Sequence, residues 1–257
     1  MRRPAASGRV KTSTTEVIAI ATTQTHTPAT AELAHAGRHA AWFAVGNVVA
    51  FAVPFVGVSL LDLQHDVYYG LYFAAVLVLL GAYAHFEQAD LRGLFTRNWV
   101  WSCALGAVTA FAVVRNVLAN SSATPRPHGG YFVFELVWRG AGYGAIDALL
   151  LTAFPCAVAY TLLRGRVGGI AGHLRFAALT LPLILAITAT YHLGYPQYRT
   201  DGVRQPETGN TLMSVPTLLT ANPIGSIGAH MSMHIAAVTH TYETDTYLPP
   251  QTFVGSK

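Results

Sequence analysis

The chain has 257 residues, of which 52% are apolar and only 11% are charged, and its formal net charge is +4. Soluble domains carry roughly 25% charged residues, and at a mean hydropathy of +0.38 one core could not bury the apolar surface. The composition excludes a soluble globular protein. It predicts an integral membrane protein whose basic surplus sets its orientation in the lipid bilayer, so no nucleic-acid partner is expected. The two cysteines, Cys103 and Cys156, lie in apolar runs and cannot form a disulfide framework.

Three regions follow along the chain. Residues 1–40 are rich in threonine, alanine and scattered histidine, without a sustained apolar period, and this pattern predicts a mobile N-terminal tail. Residues 41–240 predict a transmembrane helix bundle. Residues 241–257 are acidic and then proline-containing, which is typical of a C-terminal tail.

The bundle is predicted from five apolar stretches that can cross a hydrocarbon core, which needs about 20 helical residues. They cover residues 42–61, 67–84, 99–118, 143–163 and 176–195. A sixth apolar region is interrupted by proline, so a short helix near 211–221 and a longer one near 223–240 are expected. The predicted fold class is therefore all-α, a polytopic bundle of about six to seven membrane helices whose last region is broken at Asn222-Pro223. Broken backbone at membrane depth must be satisfied by protein or by a polar cavity, which indicates an interior site.

The distribution of basic residues predicts the orientation. Ten arginine and lysine residues lie in the N-terminal tail and in the loops at 85–98 and 164–175, against three (Arg126, Arg199 and Arg204) in the opposite connections. Short cytoplasmic loops carry the excess of basic residues. The predicted localisation is a multi-pass protein of the cell membrane with a cytoplasmic N-terminus, and the side of the C-terminus stays open.

Four ionisable residues remain in or beside the apolar stretches, where such groups are costly and often functional. Glu135 and Arg139 are four residues apart and share a helical face, so they are expected to pair, either as an anchoring salt bridge or as part of a site. Arg115 is expected to extend toward the outer surface. Asp147 is expected to cap a helix or to line a helix contact.

Histidines provide candidate metal ligands. His230 and His234 are four residues apart in an apolar helix, so both imidazoles could bind one ion or could form interhelical hydrogen bonds. His192 lies near the end of the fifth apolar stretch. These three histidines and one acid could hold a divalent cation, with Zn²⁺ favoured, and a water. His35 and His39 have the same spacing in the polar tail, where nothing indicates a site.

The order of three short segments is more specific than any one of them. FELVWRG at 134–140, TYHL at 190–193 and GAHMSMH at 228–234 together resemble the CAAX protease and bacteriocin-processing (CPBP) family of intramembrane metalloproteases. The resemblance covers residues 130–240, which it identifies as a protease-like core. It implies a metal-dependent endopeptidase that hydrolyses a peptide bond near the membrane, with a peptide or membrane protein as its substrate.

The chain departs from the family pattern at two positions. The family's first motif has two adjacent glutamates, then three residues and an arginine. Glu135 matches the second glutamate and Arg139 the arginine, while Phe134 occupies the position of the first glutamate, the family's catalytic base. His234 replaces an asparagine, and imidazole is the better ligand for zinc.

The resemblance implies a role for each matching residue. His192, His230 and His234 would bind the metal and its water, and Glu135 would act as the nearest general base. Arg139 would keep Glu135 ionised and oriented.

Two other functions stay open. Phe134 favours a non-catalytic relative of the same scaffold that binds a partner or a peptide without cleaving it. Paired helical histidines and intramembrane charges also occur in histidine-ligated redox proteins and in transporters.

Overall fold

The structure, a computed structural model, describes residues 28–199, 201–244 and 247. All regular elements in these residues are helical, which confirms the predicted all-α class. The eight main helices are α1 (Pro28–Pro54), α2 (His65–Glu87), α3 (Leu91–Thr96), α4 (Trp99–Asn120), α5 (Gly129–Leu162), α6 (Gly169–Leu193), α7 (Arg204–Thr220) and α8 (Ile224–His240). A π-helical segment, Phe55–Leu60, extends α1, and two more, Leu136–Gly142 and Leu149–Ala153, lie within α5.

Five of these helices are long and apolar enough to span a membrane, and they coincide with the five predicted stretches. The chain is therefore an integral, multi-pass membrane protein in contact with the lipid bilayer. Helices α7 and α8 have 17 residues each. At about 1.5 Å per residue each is roughly 25 Å long, so they complete the bundle as a shorter antiparallel pair.

Four helices begin well before their predicted starts: α1, α7, α5 (at Gly129 instead of 143) and α6 (at Gly169 instead of 176). Helix α1 includes residues 28–40, for which the sequence pattern predicts a tail, because this stretch is rich in alanine, the strongest helix former. The rest of the predicted tail, residues 1–27, lies outside the described residues. The added turns of α1 pack on the end of α2, where Glu87 accepts a hydrogen bond from Trp42 Nε1 (3.0 Å) and lies 3.7 Å from Nε2 of the buried His39. Helix α7 begins at Arg204, whereas the sequence pattern predicts a start near 211. Its first turns are polar and show no apolar period, so the apolar pattern does not reveal them.

Helix α5 is the centre of the bundle. In its most apolar 18-residue window 78% of the residues are buried, against 28–33% in the other four spanning helices. The outer helices therefore present most of their apolar side chains to lipid, while α5 is covered by protein. Three ionisable residues of α5 are buried in this position, Glu135, Arg139 and Asp147. Glu135 and Arg139 pair with each other, whereas neighbouring helices supply the partners of Asp147.

The predicted break at Asn222-Pro223 is confirmed as the turn between α7 and α8. The Asn222 side chain donates to the carbonyl oxygens of Phe95 (2.8 Å) and Arg97 (2.6 Å) and accepts from the backbone nitrogen of Ile224 (2.9 Å). Protein groups thus satisfy the freed backbone, as the bilayer requires. The break is a capped turn at one end of the bundle and not itself a site.

Two glycines bring α4 and α8 into close contact. A Cβ atom on Gly106 would lie 2.5 Å from the Cα atom of Gly225, and one on Gly225 would collide with the carbonyl oxygen of Ser102. The backbone nitrogen of Gly225 donates to the Ser102 hydroxyl over 2.9 Å. Small residues let membrane helices approach closely, and this contact holds the histidine-bearing helix α8 against α4.

The described helices settle which ends of the bundle lie together. The seven longer helices, all except α3, alternate in direction along the chain. The end of α8 and the start of α1 therefore lie at opposite ends of the bundle. The connection after α4 confirms this, since the backbone nitrogen of Thr124 donates to the carbonyl oxygen of His240 over 2.9 Å. The end of α8 and the 121–128 connection therefore share one end of the bundle.

Candidate metal centre

A carboxylate and two imidazoles meet inside the bundle. Asp147 on α5 and His230 and His234 on α8 are all buried, and one ligand atom from each lies within 4.8 Å of the others. Asp147 Oδ2 lies 3.4 Å from His230 Nδ1 and 3.7 Å from His234 Nε2. The spacing of four puts both histidines on the face of α8 that meets α5. The structure thus brings together two of the predicted metal ligands with an acid that had a different predicted role.

The hydrogen bonds of His230 show which of its nitrogens is free to bind a cation. Nε2 lies 2.8 Å from Asn210 Oδ1, which can only accept, so Nε2 carries the hydrogen. In a neutral imidazole Nδ1 then holds a lone pair. Neither His230 Nδ1 nor His234 Nε2 has a hydrogen-bond partner among the described residues. A lone pair aimed at a carboxylate in a buried site is unfavourable unless a metal ion or a proton lies between them.

The distances from Asp147 Oδ2 to the two imidazole nitrogens fit a small transition-metal ion. Zinc binds imidazole nitrogen at about 2.0–2.1 Å and carboxylate oxygen at about 2.0–2.2 Å in tetrahedral geometry, which puts neighbouring ligand atoms roughly 3.4 Å apart. The observed separations of 3.4 and 3.7 Å need little adjustment. Calcium instead takes 6–8 oxygen ligands. The cluster can therefore hold a divalent ion of the zinc type.

The cluster lies at one side of a cavity of about 850 Å³. The cavity is lined by the second half of α4, the end of α6, the start of α7 and the middle of α8. Its polar lining residues include Asn116, Asn120, Arg204 and Gln205. These residues lie at the end of the bundle that contains the 121–128 connection, so the cavity opens there and gives the cluster an accessible side.

His192 lies in the wall of this cavity and outside the three-atom cluster. Its Nδ1 donates to the carbonyl oxygen of Thr188 over 2.8 Å, so in the neutral ring Nε2 is the acceptor. The ring of Tyr198 packs edge-on against His192, with ring centroids 5.0 Å apart. Burial raises the pKa of the Tyr198 hydroxyl, which therefore stays protonated at neutral pH.

A group of buried tyrosines surrounds Asp147. Tyr72 donates to Asp147 Oδ1 over 3.1 Å, and Tyr143 approaches the same oxygen at 3.5 Å. The Tyr143 hydroxyl lies 2.7 Å from that of Tyr191, which lies 2.7 Å from that of Tyr195. Sequence reasoning missed these residues, although their spacings of four in apolar stretches carry the signal.

Glu135 and Arg139 lie outside the cavity. They form the predicted ion pair, with Arg139 Nη1 donating to Glu135 Oε2 over 3.0 Å, and both are buried. The Arg139 guanidinium lies 5.0 Å from the ring centroid of Tyr242, in the segment after α8. Glu135 is 12 residues before Asp147 on α5, which corresponds to a helix length of roughly 18 Å. The structure does not bring this pair to the metal cluster.

Asp147 is the acid at the cluster, whereas the sequence predicts a cap or a helix contact for it. The signal was present, since a carboxylate inside an apolar stretch is a functional candidate. Its partners lie 83 and 87 positions later in the chain, so only the packing of α5 on α8 identifies them.

Comparisons with family models, with curated proteins and with solved structures find no match to this chain. The resemblance to the CPBP family therefore rests on the three short segments alone.

Proposed function

We propose that this membrane protein is a metal-dependent hydrolase that binds a divalent ion, in the first place Zn²⁺, through Asp147, His230 and His234. The observation that carries the proposal is the convergence, beside an open cavity, of the Asp147 carboxylate and two imidazole nitrogens that lack hydrogen-bond partners among the described residues. Structural zinc sites use four protein ligands, whereas catalytic sites use three and keep one position for water or substrate. Three ligands beside a cavity match the catalytic type.

Different groups in the site would carry out different parts of the hydrolysis. A bound divalent ion supplies Lewis-acid polarisation and lowers the pKa of water toward neutrality. His192 Nε2 accepts the proton of the attacking water and returns it to the leaving group, because Nδ1 is committed to the Thr188 carbonyl oxygen. This assignment gives His192 the base role predicted for Glu135. Glu135 and Arg139 stabilise the fold through their ion pair.

The substrate class we propose is a peptide bond near the membrane surface. The resemblance to intramembrane metalloproteases supports this class, and the cavity lies within the range of about 300–1,000 Å³ typical of ligand pockets. Phe134 does not argue against hydrolysis in this proposal. Its side chain is 45% exposed and stacks on Trp138, so position 134 faces away from the cluster, and Asp147 supplies the acid there.

A second candidate follows from the ligand set itself. Two histidines and one carboxylate with open positions also bind Fe²⁺ in non-haem oxygenases. This observation favours an oxidative enzyme as the alternative to a hydrolase. The identity of the bound metal distinguishes the two functions. Zinc retained by protein purified without added metal supports hydrolysis, and retained iron supports the alternative.

The basic-residue count supports a cytoplasmic N-terminus, and the alternation of helices then puts the cavity mouth on the opposite face. We expect a cysteine in place of Ser122, in the 121–128 connection, to react with a membrane-impermeant maleimide added outside intact cells. A cysteine in place of Arg166 should react only after the cells are opened. Both are made in a Cys103→Ser, Cys156→Ser background, and the reverse labelling pattern would invert the topology.

The proposal is tested by metal analysis and peptide cleavage on detergent-purified protein. We expect one zinc ion per chain, loss of cleavage when a chelator removes it, and recovery when zinc is returned. A His192→Gln variant should keep its zinc and cleave more slowly. Protein that binds no stoichiometric zinc or iron would refute the metal centre. Bound zinc without cleavage of any membrane-anchored peptide in a library would refute hydrolysis and support the partner-binding relative.

A further inference from the structure

We propose that Tyr72, assisted by Tyr143, makes Asp147 a ligand through one oxygen only and thereby sets the metal preference of the site. The proposal rests on the metal centre described above but not on the reaction that it catalyses. The two tyrosines are positioning residues, because they contact the ligand Asp147 and not the ion.

The two oxygens of Asp147 have different surroundings. Oδ2 faces His230 Nδ1 and His234 Nε2. Oδ1 accepts a hydrogen bond from the Tyr72 hydroxyl over 3.1 Å and lies 3.5 Å from the Tyr143 hydroxyl. An oxygen that already accepts in a buried site gives up that bond at a cost. Oδ1 is thereby kept out of the ligand set.

The contacts of the two hydroxyls also show which tyrosine is the more important donor to Asp147. The Tyr143 hydroxyl is shared with Tyr191, at 2.7 Å, and Tyr191 belongs to a triangle of hydroxyls with Tyr195 and Tyr68. Tyr72 is closer to Asp147 than Tyr143 is and lies parallel to the ring of Tyr68. Removing the Tyr72 hydroxyl therefore releases Oδ1 more than removing that of Tyr143.

The number of oxygens that Asp147 offers decides which ions fit. One oxygen and two imidazoles suit zinc and cobalt in sites of low coordination number. A carboxylate that offers both oxygens suits Mn²⁺ and Ca²⁺, which accept more oxygen ligands. Partners of a metal ligand typically change affinity by about 10–100-fold when they are lost. The tyrosine donors therefore favour small transition ions over larger oxygen-seeking ions.

The test uses Co²⁺ as the probe, because four-coordinate cobalt absorbs visible light strongly and six-coordinate cobalt absorbs it weakly. We expect Tyr72→Phe to bind Co²⁺ and Zn²⁺ about 10-fold more weakly, to lose much of the visible absorption, and to bind Mn²⁺ more tightly relative to zinc. The matched control is Tyr68→Phe, which removes a buried hydroxyl of the same group that contacts Tyr195 and not Asp147. We expect the control to stay within about 3-fold of wild type, since its change lies one partner further from the ligand.

Each outcome decides the proposal. Unchanged affinity and spectrum in Tyr72→Phe, or an equal change in Tyr68→Phe, would overturn it. Wild-type protein that binds no cobalt or zinc would overturn both this proposal and the metal centre. Normal cobalt binding with the expected variant pattern but no hydrolysis would refute the proposed function alone. If Tyr72→Phe fails to fold, Tyr143→Phe replaces it, with a smaller change of the same sign expected.

Discussion

Replacing Asp147 with asparagine is expected to weaken zinc binding by at least about 100-fold, more than the loss of a residue that only supports a ligand. The substitution keeps the shape of the side chain but removes the negative charge between His230 Nδ1 and His234 Nε2. A neutral amide neither offsets the charge of the ion nor replaces a carboxylate as a ligand. Competition with a chromophoric chelator in detergent measures the change.

Thermal unfolding provides an independent measure of the same effect. A ligand that binds only the folded protein stabilises it by about 2.7 kcal/mol at 100 times its Kd. Wild-type protein should therefore melt at a higher temperature when zinc is added, and Asp147→Asn should not respond. Asp90→Asn is the matched control, because Asp90 caps α3 far from the cluster and asparagine caps equally well. An Asp147→Asn variant that binds and responds to zinc like wild type would remove Asp147 from the ligand set.

Replacing Glu135 with glutamine is expected to lower the free energy of unfolding by roughly 3–5 kcal/mol while zinc affinity stays within a few-fold of wild type. Removing one partner of a buried ion pair leaves the other charge uncompensated. Here the guanidinium of Arg139, buried in α5, loses the carboxylate that lies 3.0 Å from its Nη1 atom. Unfolding by a denaturing detergent and zinc titration are measured on the same preparation.

The matched control removes both charges. Glu135→Gln combined with Arg139→Gln should lose less stability than Glu135→Gln alone, because the buried guanidinium that loses its carboxylate is removed with it. This pattern would establish the pair as a stabilising contact of the fold. The opposite pattern, with normal stability and lost cleavage in Glu135→Gln, would return Glu135 to the catalytic role that the family resemblance implies.

Glu135 and Asp147 together show what the spacing of residues in a motif can predict and what it cannot. A spacing of four residues within one helix correctly predicts that Glu135 and Arg139 pair, and that His230 and His234 share a face, because helix geometry alone determines both. Spacing says nothing about which face of α5 meets α8. The acid of the cluster therefore had to be found from packing.

Composition and local pattern determined the class of this protein and most of its elements. A charged fraction of 11% and the five apolar stretches predict the membrane bundle, because the bilayer requires long apolar helices whose backbone groups are satisfied internally. The break at Asn222-Pro223 follows from the chemistry of proline. The polar start of α7 was missed because its side chains line a cavity, and a cavity-lining helix lacks the apolar period of a lipid-facing one.

Only the tertiary structure decided which polar residues form a site. Asp147 meets His230 and His234 because α5 lies at the centre of the bundle and Gly144 of α5 lets α8 approach closely, since a Cβ atom there would lie 2.8 Å from the Cα atom of Met231. Tyr72 reaches Asp147 from α2, 75 positions earlier in the chain. These contacts are set by how helices pack through their side chains, and that packing is a property of the whole bundle that no local stretch of sequence contains.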